Sequence, residues 1–240
     1  MNISITELRN NHNYSRWNIE KYENFKINNL VKIKLEDFEK ITLNKTNPII
    51  CNNTFCVSIK DDDYILTDSR NRLNHSQYSI KDYKNKFDYT QTIFDIIKNN
   101  ILIKKICVLG FGLGGLPLEL STLGHIDKIY TVDIDIGMFK IFNSIINKPS
   151  NKINYYLNDG LEFIKNINQK YDVIIDDAFD EEKIDYEYSR FYNKLNNNGY
   201  LIINLHNISK FNMENLKIYF KNVQVKKAKF NYLIICIHTF

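Results

Sequence analysis

The sequence predicts an α/β protein in which a small antiparallel β subdomain precedes a doubly wound, mostly parallel sheet. From residue 104 onward, apolar strand-like runs alternate with amphipathic helical segments, which is typical of a parallel sheet covered by helices on both faces. Residues 24–70 instead hold short segments of alternating apolar and polar residues, a pattern of antiparallel strands. Five of the eight glycines fall within residues 110–124, which indicates a place where the backbone turns sharply or approaches another group closely.

The antiparallel part consists of FKINNLVKIKL, FEKITL, PIICNNTFCVSIK and YILTD, and the NN and DDD clusters among them predict hairpin turns. The following segment, DYTQTIFDIIKNNIL (residues 88–102), has the apolar spacing of a helix. We therefore expect an N-terminal region at 1–85 and a larger domain at 86–240.

Seven strands are predicted in the larger domain. Five lie in KKICVLG, KIYTVDID, INYYLND, YDVIIDD and, after a turn at Gly199, YLIINLH, with a helix between each strand and the next. YDVIIDD is almost continuously apolar before its acidic end, as expected for a strand buried on both faces. The last two strands, VQVKKAKF and YLIICIHTF, are separated only by Asn231 and should pair antiparallel.

Composition excludes several functional classes. The net charge is +4 and the lysines are spread along the whole chain, whereas a nucleic-acid-binding face should cluster them. No apolar stretch approaches the roughly 18–20 residues that span a bilayer, and the first 25 residues lack the apolar core of a signal peptide. The cysteines and histidines lack metal-ligand spacing. We expect a cytoplasmic protein without a metal, a membrane or a nucleic-acid partner.

A glycine-rich loop follows the first predicted parallel strand and opens a helix. Gly110, Gly112 and Gly115 satisfy G-x-G-x-x-G, a pattern in which a tight turn lets the backbone approach a ligand beside a helix N-terminus. Asp133 ends the second strand, 21 residues after Gly112, where an acidic residue can accept hydrogen bonds from ribose hydroxyls. Loop and acid together indicate an adenosine-containing ligand, either a dinucleotide or an S-adenosyl compound. The alternative is a plain strand-to-helix turn without a ligand.

Further acidic residues end the third and fourth strands. Asp159, followed by Gly160, closes the third strand, where a carboxylate and a neighbouring N–H can meet an adenine edge. Asp176, Asp177 and Asp180 follow the fourth strand, and ligands bind beyond the carboxyl ends of strands in open α/β sheets. Three neighbouring carboxylates raise one another's pKa unless a cation lies among them, which points to a cationic substrate such as an amine. The alternative is a helix cap surrounded by solvated acids.

The order of these motifs resembles the spermidine synthase family of polyamine aminopropyltransferases. The matching segments are ICVLGFGLGG, VDID, NDGLEF, YDVIIDDAFD and FYNKLNNNGYLIINL, within residues 105–205. Phe87-Asp88-Tyr89 is similar to the family's F-x-Y, and Gln77 lies near the position of a substrate-site glutamine. The resemblance implies the class I S-adenosylmethionine methyltransferase fold, with a seven-stranded Rossmann-like sheet.

The resemblance also implies roles for individual residues. Gly110, Gly112 and Gly114 would line the methionine-derived part of the donor, while Asp133 would hold its ribose and Asp159, with Gly160, its adenine. On the acceptor side the implied residues are Asp177 as the group that accepts a proton from the attacking amine, Tyr89 as the group that orients this amine, Asp180 as an ammonium anchor, and Gln77.

Two departures from the family pattern leave the transferred group open. Leu113 replaces the aspartate that helps to hold the ammonium of decarboxylated S-adenosylmethionine, and Ala178 and Phe179 replace two serines of the family's D-S-S-D. Leu116-Pro117-Leu118 is similar to a related branch that methylates protein amines.

The predicted function is aminopropyl transfer from decarboxylated S-adenosylmethionine to a polyamine acceptor such as putrescine. The alternatives are S-adenosylmethionine-dependent methylation of a protein or small-molecule amine, and a non-catalytic nucleoside-binding relative. A nicotinamide dehydrogenase would leave the cluster from Asp177 to Asp180 without a role. Dimers are common in the family that the chain resembles, which makes a homodimer a candidate assembly.

Overall fold

The computed structural model describes residues 30–38, 49–51, 55–68, 74–146, 149–178, 187–209 and 211–239. These residues form an eight-stranded sheet of order β1-β8-β7-β6-β9-β10-β12-β11 and a four-stranded sheet of order β2-β3-β4-β5. The strands are β1 (Val31–Ile33), β2 (Ile49–Cys51), β3 (Phe55–Lys60), β4 (Asp63–Asp68), β5 (Asn74–Ser79), β6 (Lys105–Leu109), β7 (Lys128–Asp133), β8 (Ile153–Leu157), β9 (Tyr171–Asp176), β10 (Leu195–Leu205), β11 (Asn222–Lys227) and β12 (Tyr232–Ile237). The helices are α1 (Asp88–Lys98), α2 (Gly115–Ser121), α3 (Ile136–Ile145), α4 (Gly160–Asn166), α5 (Tyr188–Asn193) and α6 (Met213–Lys217).

The middle of the large sheet is parallel and buried on both faces. Strand β6 pairs in parallel with β7 and β9, β7 pairs with β8, and β9 pairs with β10. Val173, Ile174 and Ile175 of β9 are fully buried, and the side chains of this strand alternate between two core clusters on opposite faces of the sheet. The predicted α/β class with its doubly wound, mostly parallel sheet is therefore confirmed.

The large sheet has eight strands because the N-terminal region adds one to the seven expected from the larger domain. Strand β1 pairs antiparallel with β8, with Lys32 opposite Tyr156. Ile33 of β1 is buried in the core. The sequence pattern placed this segment in the small sheet instead, since alternation indicates a strand but not its partner. An added strand covers the hydrogen-bonding edge that β8 would otherwise expose.

The small sheet is antiparallel, as predicted. Asp61 and Asp62 have φ of 51° and 62° and form the two-residue turn between β3 and β4, so the DDD cluster does mark a hairpin. The predicted strand FEKITL lies outside the described residues except for its first residue, Phe38, and so does the NN turn at 52–53. Strand β5 was missed because NHSQYS lacks apolar alternation, and its pairing with β4 provides its backbone partners.

Contacts with the glycine loop and the helix after it fix the position of the small sheet. Tyr78 of β5 is fully buried, and its hydroxyl donates to the carbonyl of Leu113 at 3.2 Å. The buried Glu119 of α2 accepts from the backbone N–H of Asn85 at 3.1 Å and from its side-chain Nδ2 at 2.7 Å. The chain before α1 is thus attached directly to the part of the large domain that carries the Gly-rich motif.

The C-terminal part agrees with the pattern except near Gly199. Strands β11 and β12 pair antiparallel as predicted. Strand β10 begins before Gly199, and its pairing with β9 shifts register between Leu195 and Tyr200. Asn198 has a φ of 59°, so the expected turn is an irregularity inside one long strand. None of the helices in the described ranges is long and apolar enough to cross a membrane.

Candidate active site

The loops after β6 and β9 meet beside the end of β7, where the central parallel strands end. The N–H of Gly110, after β6, donates to the carbonyl of Val132 in β7 at 2.9 Å. The N–H of Asp177, after β9, donates to the carbonyl of Leu109 in β6 at 2.8 Å. Because parallel strands end at one edge, the Gly-rich loop, Asp133 and Asp177 lie side by side at the edge where the sequence predicts a ligand-binding crevice.

Gly110 lies against the backbone of the Asp177 loop. Its φ is 87°, and a Cβ atom added to it would lie 2.7 Å from the carbonyl oxygen of Asp177 and 2.8 Å from the nitrogen of Ala178. Only glycine allows both this φ and this approach. The residue therefore brings the loop after β6 and the loop after β9 into direct contact.

Gly112 and Gly114 differ in what surrounds them. Gly112 has a φ of 53°, and within 4 Å of its added Cβ only the Cβ of Ser76 is found, at 3.9 Å, among the described residues. Gly114 has a φ of 74°, and the rings of Phe111 and Phe142 would lie 2.6 and 2.7 Å from its added Cβ. Among the described residues Gly112 thus has little packed against it, whereas Gly114 allows the loop to pack on aromatic rings.

The carboxylate of Asp133 is oriented by backbone N–H groups. Its Oδ2 accepts from the N–H of Phe111 at 2.8 Å, and its Oδ1 accepts from the N–H of Asp135 at 2.8 Å. Burial raises the pKa of Asp133, while these backbone hydrogen bonds oppose the rise. Each carboxylate oxygen can accept a second hydrogen bond, so the arrangement is compatible with two ribose hydroxyls.

Asp159 caps helix α4. Its Oδ1 accepts from the N–H of Glu162 at 2.9 Å, and its φ and ψ of −64° and 135° are those of an N-cap residue. Gly160 is the first residue of α4, and an added Cβ would lie in ordinary contact, 3.4 Å from the Cβ of Leu109. The structure places both residues after the carboxyl end of β8, next to Asp133 at the end of β7, because the N–H of Asn158 donates to the carbonyl of Asp133 at 3.0 Å.

Asp177 is held at both carboxylate oxygens by side chains. The hydroxyl of Tyr89 donates to Oδ2 at 3.3 Å, and Nδ2 of Asn204 donates to Oδ1 at 2.7 Å. Burial, followed by the negative charge of Asp177, raises the pKa of Tyr89 well above its ordinary value. Tyr89 is therefore a neutral hydroxyl at physiological pH and can donate to the carboxylate. The structure thus brings together Asp177 and Tyr89, two residues that the family resemblance places on the acceptor side.

A chain of amides behind Asp177 was missed by the sequence analysis. Nδ2 of Asn231 donates to Oδ1 of Asn204 at 2.9 Å and lies 3.4 Å from Nδ1 of His206. Asn231 was interpreted only as the separator of two strands. In a chain this rich in asparagine no sequence signal distinguishes Asn204 and Asn231, because only pairing of β10 with β12 brings them together.

Leu113 belongs to the hydrophobic core and not to the crevice. Its side chain is 0% exposed and lies in the cluster that also contains Phe111. The ring of Phe111 packs 4.9 Å from both Phe139 and Phe142, measured between ring centroids. Leu113, which replaces the family's aspartate, and Phe111 are therefore used here for packing.

Gln77 is directed away from the Gly-rich loop. Ser76 and Tyr78, its neighbours in β5, approach that loop, and alternate residues of a strand point to opposite faces. Nε2 of Gln77 donates instead to Oδ2 of Asp63 at 2.9 Å. The predicted Asp180 lies outside the described residues.

Comparison with known proteins identifies the family. The model of the spermine/spermidine synthase domain matches residues 86–240. Polyamine aminopropyltransferases are similar over shorter segments: that of Clostridium perfringens is 32% identical over 103 residues, covering 40% of this chain and 36% of its own length. That of Clostridioides difficile is 35% identical over 105 residues, covering 41% and 37%. The matched segment thus spans little more than a third of these relatives.

Solved structures support the same fold. A probable spermidine synthase from Corynebacterium glutamicum superposes with a TM-score of 0.63 at 13% identity, covering 84% of this chain and 81% of that one. A spermidine synthase in complex with the transition-state analogue AdoDATO gives a TM-score of 0.58 at 15% identity, covering 80% and 73%. The family model covers well over half of the chain, and its match agrees with the order of motifs along the sequence. The chain belongs to the spermine/spermidine synthase family.

Proposed function

We propose that this protein transfers an aminopropyl group from decarboxylated S-adenosylmethionine to a polyamine acceptor such as putrescine. The observation that carries the proposal is the Asp177 carboxylate, which is fixed at both oxygens and adjoins the Gly-rich loop through Gly110. A positioned carboxylate beside an adenosyl site suits an amine nucleophile, because it can accept the proton that the amine must lose.

The donor would lie along the loops after β6, β7 and β8. Asp133 would accept hydrogen bonds from the ribose hydroxyls, and the open side of Gly112 leaves space for the sulfonium arm. Asp159 and Gly160 would border the adenine, where the Oδ2 of Asp159 is not used by the helix-capping bond. Gly110 and Gly114 would not line the donor directly but would allow the backbone of the loop to take the shape that binds it.

The reaction is a direct displacement. The lone pair of the acceptor nitrogen forms a bond to the aminopropyl carbon attached to sulfur, while the carbon–sulfur bond breaks and its electron pair remains on sulfur. A neutral thioether nucleoside leaves, and the excess proton of the new ammonium passes to Asp177. Since the sulfonium is already an activated leaving group, the protein mainly has to align the reacting atoms and keep the amine unprotonated.

The acceptor would approach from the side of Tyr89. Its hydroxyl donates its hydrogen to Asp177, and its oxygen can still accept a hydrogen bond from the amine. Asp180 would anchor the distal ammonium of a diamine, as the resemblance implies. Gln77 would belong to this site only if its amide leaves Asp63 when the acceptor binds.

Methyl transfer from S-adenosylmethionine to an amine is the second candidate, and one observation favours it. Leu113 is fully buried, so the Gly-rich loop places no acidic side chain beside the aminopropyl ammonium. The same binding site, base and displacement chemistry would serve a methyl group.

Calorimetric titration of the full chain with each donor tests the proposal. Tighter binding of decarboxylated S-adenosylmethionine, followed by release of methylthioadenosine when putrescine is added, is the expected result. Tighter binding of S-adenosylmethionine with release of S-adenosylhomocysteine would replace the proposal by methyl transfer. Binding of a donor without thioether release from any amine would indicate a non-catalytic nucleoside-binding protein.

A further inference from the structure

The turn that precedes the last strand is linked to the Asp177 carboxylate by hydrogen bonds that pass through Asn204. Asn231 lies between β11 and β12, and its carbonyl accepts from the N–H of Ala228 at 2.8 Å, which closes the turn. Its side chain is buried, with the residue 6% exposed. Strand β12 pairs antiparallel with β10, with Tyr232 opposite Leu205, so Asn231 lies beside the carboxyl end of β10.

Hydrogen-bonding rules fix the direction of each amide in this chain. An ionised carboxylate only accepts hydrogen bonds, so the atom of Asn204 that lies 2.7 Å from Oδ1 of Asp177 must be its amide nitrogen. The carbonyl oxygen of Asn204 then points away from Asp177 and accepts from Nδ2 of Asn231 at 2.9 Å. Turning the Asn204 amide around would break both bonds and place an oxygen against the carboxylate.

The remaining proton on Nδ2 of Asn231 faces His206. Nδ1 of His206 lies 3.4 Å from Nδ2 of Asn231. This is a long hydrogen bond, and because an amide NH₂ group only donates, Nδ1 has to be the acceptor. His206 is exposed, whereas Asn231 is buried. The 2.9 Å bond to Asn204 is therefore the shorter and better-shielded contact of the Asn231 amide, and it alone fixes the orientation of that amide.

We propose that Asn231 is a positioning residue, which orients the Asp177 carboxylate through the amide of Asn204 and so couples the C-terminal hairpin to the reaction. Asn231 itself does not contact the substrate in this arrangement. The inference rests on the proposed function in one respect, namely that Asp177 is the proton acceptor. Its consequence is that the hairpin determines how Asp177 faces the attacking amine.

Turnover of three variants tests the proposal. Asn204→Ala removes the direct support of Asp177 and is expected to lower kcat by up to about 100-fold, the loss that a displacement of about 1 Å can cause. Asn231→Ala leaves Asn204 in place but frees its amide, so a smaller loss, about 10-fold in kcat, is expected with little change in KM for the acceptor. The matched control is Asn196→Ala. Asn196 makes the same kind of bond, from its amide to Oδ1 of Asp172 at 2.7 Å, but it lies at the other end of β10 from Asn204. Its kcat should match that of the unmodified protein.

The double variant separates positioning from packing. If Asn231 acts only through Asn204, then Asn204→Ala with Asn231→Ala has the kcat of Asn204→Ala alone, since the second change has nothing left to disturb. Losses in kcat that multiply in the double variant would overturn the proposal. So would a kcat of Asn231→Ala equal to that of Asn196→Ala.

A second measurement does not depend on activity. In nitrogen-15 spectra of the full chain, Asp177→Ala is expected to shift the side-chain amide signals of both Asn204 and Asn231 while those of Asn196 stay in place. If these shifts occur but no amine yields a thioether, the proposed function fails and the hydrogen-bonded chain stands. If the Asn231 signals do not respond, the inference fails whether or not the protein is active.

Discussion

The Gly-rich loop and Asp177 lie at the same edge of the large sheet, but the loop is held mainly through its own backbone and the Asp177 carboxylate through side chains. Within the loop region, the N–H of Gly114 donates to the carbonyl of Phe111, and Asp133 accepts from backbone N–H groups at 111 and 135. Around Asp177 the contacts are side chain to side chain, from Tyr89 and Asn204. The proposed donor side is therefore built largely by short segments of chain, and the proposed acceptor side by remote ones.

This difference matters for how each side tolerates change. A loop whose contacts run mainly through its backbone is most sensitive to the loss of a glycine, because other residues adopt its backbone angles only with strain. A carboxylate fixed by side chains loses its orientation when any one of them is shortened. We therefore expect substitutions on the two sides to affect different properties, namely donor affinity or stability on one side and turnover on the other.

The largest effect is expected for Asp177→Asn. It removes the proposed proton acceptor while keeping the size of the side chain, so turnover should fall by about 10²–10⁴-fold, the usual contribution of a general base. Donor affinity, measured by calorimetry, should change little. Asp172→Asn is the control, because Asp172 lies at the other end of β9 and accepts from the backbone N–H groups of Lys104 and Lys105. Unchanged turnover in Asp177→Asn would remove Asp177 from the mechanism.

Substitution of Gly110 should destabilise the protein more than substitution of Gly112. Gly110→Ala combines a positive φ with a clash against the backbone at Asp177 and Ala178, so the free energy of unfolding should fall by about 2–5 kcal/mol. Gly112→Ala meets open space and carries only the backbone strain, about 1–2 kcal/mol. Urea unfolding of both variants measures this difference. Equal losses would mean that Gly110 does not approach the Asp177 loop as described.

Asp133→Ala should act on donor affinity. Hydrogen bonds to a charged group contribute about 1.5–3 kcal/mol, so binding of an S-adenosyl ligand should weaken by about 10–100-fold or more. The control is Asp135→Asn, since Asp135 caps α3 by accepting from Gly137 at 2.7 Å and asparagine is an equally good N-cap residue. Calorimetry gives both affinities, and equal values for the two variants would contradict the ribose assignment of Asp133.

The smallest effect is expected for Gln77→Ala. The lost bond to Asp63 should lower the free energy of unfolding by about 0.5–1.5 kcal/mol, while KM for the acceptor stays the same. Urea unfolding measures the change in stability, and steady-state kinetics measures KM for the acceptor. A raised KM at unchanged stability would place Gln77 in the acceptor site, as the family resemblance implies.

The sequence by itself determined the fold class, the parallel strands and the place of the Gly-rich loop among them. Strands such as β9 are recognisable because burial on both faces requires a continuous apolar run, and the Gly-rich loop because only glycine adopts its backbone angles at low cost. Asp133 was recognisable as a candidate ribose ligand because it ends the second parallel strand, 21 residues after Gly112 in the loop.

Only the tertiary structure decided the rest. It placed β1 in the large sheet, found a strand in the polar segment of β5, buried Leu113 in the core and directed Gln77 towards Asp63. It also joined Asp177 to Asn204 and Asn231, which sequence pattern does not distinguish from other asparagines. Periodicity records which face of an element is apolar, whereas the partner of a polar side chain depends on which strands become neighbours, and that is settled by packing of the whole chain.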